Sequence, residues 1–200
     1  MAEKGQVNIK VKILTAPRQR TSKFGAPLSS IDVLENRTFA TKTLYMPTAM
    51  TPKAPVGSFC LIRNWVVEEF IRATQKSMIM ACGPFLFDRK VEEDFLAPEV
   101  MAISEAQACP PKRRLSLSGT LVSTSAVLTT ETSRREVFRL QDGGAQEFAV
   151  KLWGEEVDLP LPTNGSTVVV ACITIAEFGG KKGASSTGRK LQTMCHLRAL

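Results

Sequence analysis

The sequence predicts an all-β chain of two consecutive five-stranded barrels with a short helix between them. Three observations lead to this fold class. Apolar and polar residues alternate over several short runs, which is the period of a half-buried strand. Asp142-Gly143-Gly144 separates two such runs, and Asp-Gly between alternating strands is typical of a β-hairpin. The same succession of strands, loops and a proline-bearing connector occurs twice along the 200 residues.

The first half begins with a regularly alternating strand that places Lys10 and Lys12 on its polar face. A basic loop over residues 15–30 follows, and prolines make residues 47–57 a connector. The five strands expected for this half span residues 7–14, 30–35, 38–46, 58–70 and 77–87.

The second half repeats this order. Its expected strands span residues 117–127, 137–140, 148–152, 167–175 and 190–197. Alternation predicts a core face built from Phe138, Leu140, Phe148, Val150 and Leu152. A polar loop over residues 128–135 and a flexible basic loop over residues 179–190 connect the strands.

Five strands with a long connector between the third and the fourth are in the order of an OB fold. We therefore expect an OB-like domain at residues 1–95 and an OB-fold domain at residues 115–200. Residues 96–114 are expected to form a helix, over residues 97–108, and a basic linker that starts at Pro110-Pro111.

The second half also resembles a known family. A strand, then QDGG, then EFAVKLWGEEV, then GSTVVVACITIAEFGGKK resembles the OB-fold domains of the replication protein A large subunit over roughly residues 117–200. The resemblance implies single-stranded DNA binding, with the strand running across the non-core face of the hairpin.

The formal net charge is +7, from 26 Lys and Arg against 19 Asp and Glu. Counted over residues 1–108 and 109–200, the excess is +3 and +4, so neither half is a basic tail. This balance is compatible with a groove that follows phosphates, and it also occurs in proteins that never contact nucleic acid.

The five cysteines contain no C-x-x-C pair, and most lie inside apolar runs. Free buried thiols in a reducing compartment are the expected state. The start of the chain lacks the apolar core of a signal peptide, and no apolar run reaches membrane-spanning length. We expect an intracellular protein, in the nucleus or the cytoplasm, with no membrane partner.

Cations and aromatic residues outside the expected core are the candidate contacts to nucleic acid. Phe178 is the preferred stacking candidate because it ends the fourth strand where the basic loop begins. Trp153 points away from the core set by alternation, although it could also pack under the connector. The candidates in the second half are Arg134, Arg135, Arg139, Lys151, Trp153, Phe178, Lys181, Lys182, Arg189 and Lys190.

The candidates in the first half rest on weaker grounds, because this half lacks the Asp-Gly-Gly and LWGE residues of the second. They are Lys10, Lys12, Arg18, Arg20, Lys42, Arg63 and Trp65. For each cation the competing interpretation is a solvated surface charge, and for Trp65 it is a core position.

The sequence predicts no catalytic residue, no metal site and no cofactor, and therefore no enzyme. His196 is the one histidine in the chain, and no carboxylate cluster accompanies it.

Two functions remain open. The first is binding of single-stranded nucleic acid, DNA or RNA, in replication, repair or recombination, and the resemblance implies DNA. The alternative is an OB scaffold subunit that contacts other OB-fold subunits of a DNA-maintenance or telomere complex. The small number of aromatic residues, 10 Phe, 2 Trp and 1 Tyr, favours the alternative, whereas the outward cations favour the first.

Overall fold

The computed structural model places two compact units, Met1–Glu93 and Asp94–Leu200. The residues that the structure describes are 4–5, 8–22, 25–67, 70–131, 133–144, 146–186 and 197–199. No helix among them is long and apolar enough to cross a membrane.

The described residues of the first unit form seven strands and one 3-10 helix. The strands are β1 (Lys4–Gly5), β2 (Ile9–Ile13), β3 (Arg18–Thr21), β4 (Pro27–Glu35), β5 (Thr41–Pro47), β6 (Phe59–Val67) and β7 (Ile71–Ala81), and the 3-10 helix is Thr48–Lys53.

Five of these strands close into a barrel in the order β6-β2-β4-β5-β7, with β7 pairing back onto β6. The closing contact between β5 and β7 is parallel and joins Leu44 to Ile71, while the other pairs are antiparallel. The predicted five-stranded barrel is confirmed for this unit. Its core contains the alternating residues Ile9, Val11 and Ile13, each at most 1% exposed.

The second unit has strands, two short α-helices and a 3-10 helix in its described part. The elements are α1 (Arg89–Leu96), which begins before the unit boundary, β8 (Val100–Met101), α2 (Ile103–Ala108), β9 (Arg114–Thr124), β10 (Leu128–Thr129), β11 (Arg134–Gln141), β12 (Glu147–Trp153), the 3-10 helix Gly154–Asp158, β13 (Thr167–Phe178), β14 (Lys181–Ser185) and β15 (Leu197–Ala199).

Pairings connect five strands of this unit in the order β9-β11-β12-β14-β13, and β13 pairs with β9. This is the strand order of the first unit, including a parallel contact between the third and the fifth strand. The predicted core residues Phe138, Leu140, Phe148, Val150 and Leu152 are all 0% exposed, which confirms the alternation.

Several predicted element bounds were wrong. Residues 15–30 contain β3 and the start of β4, which pair with each other, so the predicted loop is largely a hairpin. The last strand of the first unit starts at Ile71 rather than near residue 77, because polar residues on its exposed face hid the alternation. The helix predicted over residues 97–108 is shortened to α2, because Val100 and Met101 form β8 and pair with β9. The helix α1 forms in the charged segment and ends before Pro98.

The hairpin at Asp142-Gly143 is confirmed, because β11 and β12 pair in register from Arg135↔Trp153 to Gln141↔Glu147. The turn is longer than the predicted two-residue type I′ turn. Residues 142–146 lie between the strands, and among the described ones Gly143 alone has a positive φ, of 80°.

Four described cysteines are free thiols, with Cys60, Cys109 and Cys172 buried and Cys82 half-buried. Their burial agrees with the expectation from the apolar runs. Cys195 and His196 lie outside the described residues.

Candidate nucleic-acid interface

The outer face of the β11–β12 hairpin carries three of the predicted cations. Because Phe138, Leu140 and their partners fill the core side, the residues between them point outward. Arg135 pairs with Trp153, Val137 with Lys151, and Arg139 with Ala149. Arg135, Arg139, Lys151 and Trp153 therefore share one face, as alternation predicts.

Phe178 extends this face at the end of β13. It pairs with Lys181 across the β13–β14 turn. The Lys151 ammonium lies 3.5 Å from the centre of the Phe178 ring. Gly183 makes room for the ring, because a Cβ there would lie 3.1 Å from it and 2.6 Å from the Ala149 carbonyl oxygen. The one predicted stacking residue of β13 is thus held beside a cation on the outer face.

Trp153 is half-buried and its ring is fixed. The indole Nε1–H donates to the Ser185 hydroxyl at 2.9 Å, and the Arg135 guanidinium lies 6.0 Å from the ring centre. The hydrogen bond satisfies the one polar group of the indole. Trp153 keeps part of its apolar surface on the face that holds the cations.

A groove of about 770 Å³ opens at the Phe178 end of this face. Four of its lining residues are predicted contacts: Arg139, Phe178, Lys181 and Lys182. The other lining residues are Gln107, Gln146, Glu147 and Ala149.

Lys181 and Lys182 reach the groove from a strand, which corrects the prediction of a basic loop over residues 179–190. Gly179 and Gly180, with φ of 59° and 76°, form a two-residue turn, and β14 begins directly after it. Positive φ at both turn positions suits a tight hairpin, and glycine adopts it without strain. The fifth strand that the structure describes is therefore Lys181–Ser185, and residues 190–196 of the predicted strand lie outside the described residues.

The ammonium of Lys182 is anchored at the C-terminal end of α2. It donates to the carbonyl oxygens of Gln107 at 2.8 Å and Cys109 at 3.1 Å. Lys181 is exposed and has no acidic partner among the described side chains. Lys182 thus shapes the groove wall, and Lys181 is free to meet a phosphate.

Positive charge is concentrated on this face. Burial lowers the pKa of Lys151, and the nearby Arg135 guanidinium lowers it further by repulsion. An anion bound between these two cations would relieve that repulsion. Arg139 is the exception, since its Nε lies 3.3 Å from a Glu147 carboxylate oxygen.

One predicted cation of the second unit, Arg134, does not join the face. Arg134 makes a two-pronged ion pair with Asp158, at 2.9 and 2.8 Å, in which both side chains are exposed. The hydrogen bonds from Arg134 lower the pKa of Asp158. Arg189 and Lys190 lie outside the described residues.

One candidate arginine and the candidate tryptophan of the first unit lie in its interior. Arg18 is 8% exposed and donates to both oxygens of Asp32, at 3.1 and 3.2 Å. Trp65 is 3% exposed in the core, so its ring has no free face for a base. Neither residue can serve as the contact that the sequence suggested.

Two candidate lysines of the first unit are paired with carboxylates. Lys12 bonds to Glu92, and Lys42 lies 3.8 Å from Glu35. Three candidates remain without an ion pair among the described residues: Lys10, Arg20 and Arg63.

Sequence reasoning missed four groove residues and one supporting glycine. The alternation along β12 places Glu147 and Ala149 on the same outward face as Lys151, so the sequence contained the signal for these two groove residues. Gln107 lies in α2 and Gln146 in the hairpin loop, so the alternation of a strand could not place either of them in the groove. Gly183 gave no sign in the sequence, because its role depends on the position of the Phe178 ring.

The structure is similar to several solved HIN domains. HIN1 of p202 in complex with a 12-mer double-stranded DNA aligns with a TM-score of 0.56 and 13% identity, over 94% of this chain and 92% of that one. The Ifi202 HINa domain in complex with a 20 bp double-stranded DNA aligns at 0.54 and 12%, over 92% and 93%. The p204 HINb domain aligns at 0.55 and 11%, over 100% and 98%.

These likenesses show the fold alone, and they extend over both units. A replication protein A heterotrimer bound to single-stranded DNA aligns with a TM-score of 0.47, over 91% of this chain and 46% of that one. The specific resemblance to the replication protein A large subunit stays a prediction. No protein-family model and no curated protein matches the sequence.

Proposed function

We propose that the protein is a nucleic-acid-binding protein whose second unit holds a single strand across the outer face of β11, β12 and β14. The observation that carries this proposal is the convergence of Arg135, Lys151 and Lys181 with two aromatic rings on one face. Lysine and arginine neutralise phosphates, and the released counterions drive binding. We further propose that the second unit, like the first, is a complete OB barrel.

The aromatic rings favour a single strand over a duplex. In a duplex the bases are stacked on each other, so their flat faces are not available to the aromatic rings. In a single strand each base can stack on an aromatic ring, with about 1–3 kcal/mol per stacked base. Phe178 and the exposed part of Trp153 lie among the cations, which is the arrangement that binding of a single strand requires.

The neighbours in complex with double-stranded DNA make a duplex the ligand to compare. The test is fluorescence anisotropy with labelled poly-dT of about thirty nucleotides, poly-rU of the same length and a matching duplex, at about 50 and 200 mM salt. We expect dT to bind tighter than the duplex at both salts, with affinity falling steeply as salt rises. If the duplex binds more tightly than dT, the ligand is a duplex and the single-strand proposal is wrong. If nothing binds at low salt, the nucleic-acid proposal is wrong.

Comparing the affinities for poly-rU and poly-dT tests whether the protein binds DNA or RNA more tightly. Our proposal of DNA rests on the resemblance in the sequence and predicts weaker binding of rU than of dT. The proposal includes no catalytic step, and it places the protein in replication, repair or recombination, in the nucleus or the cytoplasm.

A scaffold role is the second candidate function. It is favoured by exposed apolar residues at one end of the second unit, where Val122, Val127 and Leu128 are 36, 43 and 47% exposed. The partner would be another OB-fold subunit. This role predicts a stable complex that is weakened when Val127 is changed to the neutral residue Ser, while affinity for dT stays unchanged.

A further inference from the structure

The groove of the second unit contains one carboxylate among its cations. Glu147 is 48% exposed and its oxygen lies 3.3 Å from the Nε of Arg139, itself 54% exposed. Exposed ion pairs of this kind contribute little to stability. A carboxylate also repels phosphate, so its position in the groove points to a ligand group that donates hydrogen bonds.

The residues around Glu147 leave a shallow slot. Glu147, Ala149 and Lys151 follow one another on the outer face of β12, and the short Ala149 lies between two long side chains. Gly183 lies directly beside Ala149, as shown by the 2.6 Å from its ideal Cβ position to the Ala149 carbonyl oxygen. The Phe178 ring borders the slot on one side. A floor of small residues beside a ring suits a planar base.

Among the nucleic-acid bases, guanine matches this slot best. A carboxylate only accepts hydrogen bonds, through two oxygens. Guanine offers two adjacent donors, N1–H and N2–H, whereas adenine and cytosine place a ring-nitrogen acceptor beside their amino group. Thymine and uracil flank a single N–H with two carbonyl oxygens, which repel a carboxylate. In a single strand this edge of the base is available for recognition.

We propose that Glu147 and Arg139 form a guanine-selective subsite in the groove, with the base stacked beside Phe178. The carboxylate of Glu147 accepts from N1–H and N2–H, and the Arg139 guanidinium donates to O6. This inference rests on the proposed function, because it requires a single strand in the groove. It adds a base preference to binding that is otherwise governed by phosphates and stacking.

The test uses labelled strands of about twelve thymidines in which one central base is changed to guanine, inosine, adenine or cytosine. A single guanine avoids four-stranded structures. We expect guanine to raise affinity about tenfold over the all-thymidine strand, the size of one good bidentate contact. Inosine, which lacks the N2 amino group, should lose most of that gain, and adenine and cytosine should give none.

Two matched variants assign the preference to Glu147. Glu147→Gln removes the paired acceptors, so it should abolish the guanine gain while binding all-thymidine strands at least as tightly as the natural protein. Glu177→Gln makes the same charge change at an exposed residue outside the groove lining and should keep the gain.

The outcomes separate the two proposals. If dT is bound but guanine gives no gain, or if Glu147→Gln keeps the gain, the guanine subsite is wrong and the proposed function stands. If inosine matches guanine, the N2–H contact is absent and the subsite is wrong as stated. If no strand binds, both proposals fail.

Discussion

In the first unit Arg18 of β3 is buried against Asp32, whereas in the second unit Arg135 of β11 lies on the outer face beside the Trp153 ring. The two units have the same strand order and the same parallel closing contact. They differ in the location of their carboxylates. Asp32, Glu35 and Glu92 each neutralise a cation of the first unit, and the cations Arg135, Lys151 and Lys181 of the second have no such partner among the described residues.

This difference shows that two units with the same strand order need not carry the same binding face. A face becomes suited to phosphates when its cations outnumber the carboxylates within reach and stay accessible to water. The first unit pairs three of its candidate cations with carboxylates, and the second unit keeps three of its cations without such a partner, among the described residues, on one outer face. Variants that exchange or remove these features test the comparison.

The largest expected effect concerns two ion pairs of the same chemistry. Arg18 and Arg134 each hold both oxygens of an aspartate, one pair buried and one exposed. Arg18→Ala leaves Asp32 as a buried charge without its arginine, so we expect a loss of about 3–5 kcal/mol in the free energy of unfolding. Arg134→Ala should leave the urea midpoint unchanged. Equal losses of unfolding free energy in the two variants would contradict the burial of the Arg18–Asp32 pair.

The second prediction compares two sets of three cations. The triple variant Arg135→Ala, Lys151→Ala, Lys181→Ala should weaken dT binding about 10- to 100-fold at low salt. It should also reduce the slope of log affinity against log salt by about 2, because each phosphate that a cation no longer neutralises lowers the slope by about 0.7. The control triple Lys10→Ala, Arg20→Ala, Arg63→Ala removes the same charge from the first unit.

We expect the control triple to change affinity less than about threefold, since salt screens the field of cations that do not touch the strand. Anisotropy titrations at several salt concentrations measure both quantities. A control that weakens binding as much as the triple variant of the second unit would place binding on both units or on overall charge.

The third prediction uses one glycine from each unit. A Cβ at Gly183 would collide with the Ala149 carbonyl oxygen and press on the Phe178 ring, whereas Gly83 has nothing within 4 Å of its Cβ position. Gly183→Ala should destabilise the protein by about 1–3 kcal/mol, in the range for overpacking, and should also weaken dT binding. Gly83→Ala should stay within about 0.5 kcal/mol of the natural protein. Thermal unfolding and anisotropy measure the two effects.

The alternation of apolar residues predicted much of the fold. Phe148, Val150 and Leu152 alternate without interruption, and their strand and its core face are as expected. The fifth strand of the second unit was missed, because Lys181–Ser185 has two exposed lysines followed by Gly183 and Ala184 and shows no apolar period. Its two-residue glycine turn looked like the start of a longer loop.

The face of the second unit was predictable and its groove was not. Alternation from the core placed Arg139, Lys151 and Trp153 on one side of the hairpin. The partner of Arg18 lies 14 residues further along the chain, at Asp32, and sequence spacing gives no measure of such a contact. The same limit applies to Trp65, whose burial depends on strands that pair across the barrel.

The smallest predicted effects come from two buried glutamates with opposite pKa shifts. Burial alone would raise the pKa of Glu35, but hydrogen bonds from Thr38 and Arg37 and the charge of Lys42 bring it below its ordinary value. Its contribution to stability is therefore present above the unfolded pKa and is lost as pH falls through the folded one. Glu35→Gln should destabilise the first unit at neutral pH, with the difference shrinking in acid.

Glu136 in the second unit should behave in the opposite way. Burial raises its pKa above the ordinary value, so stability is lost as pH rises through the folded pKa. Glu136→Gln, which mimics the protonated form, should stabilise the protein at neutral pH, and this gain should disappear as pH falls. Urea unfolding at about pH 7 and about pH 4 distinguishes the signs. A destabilised Glu136→Gln variant at neutral pH would show that the ionised carboxylate has a partner.

Whether a single strand lies on the outer face of the second unit is tested most directly by photocrosslinking. A dT strand that carries 5-iodouracil is crosslinked to the protein, and the crosslinked peptides are identified by mass spectrometry. Bases that stack on the second unit should crosslink to the peptides that contain Phe178 or Trp153. Crosslinks confined to aromatic residues of the first unit, such as Tyr45 or Phe70, would contradict the account and move the strand to the other unit.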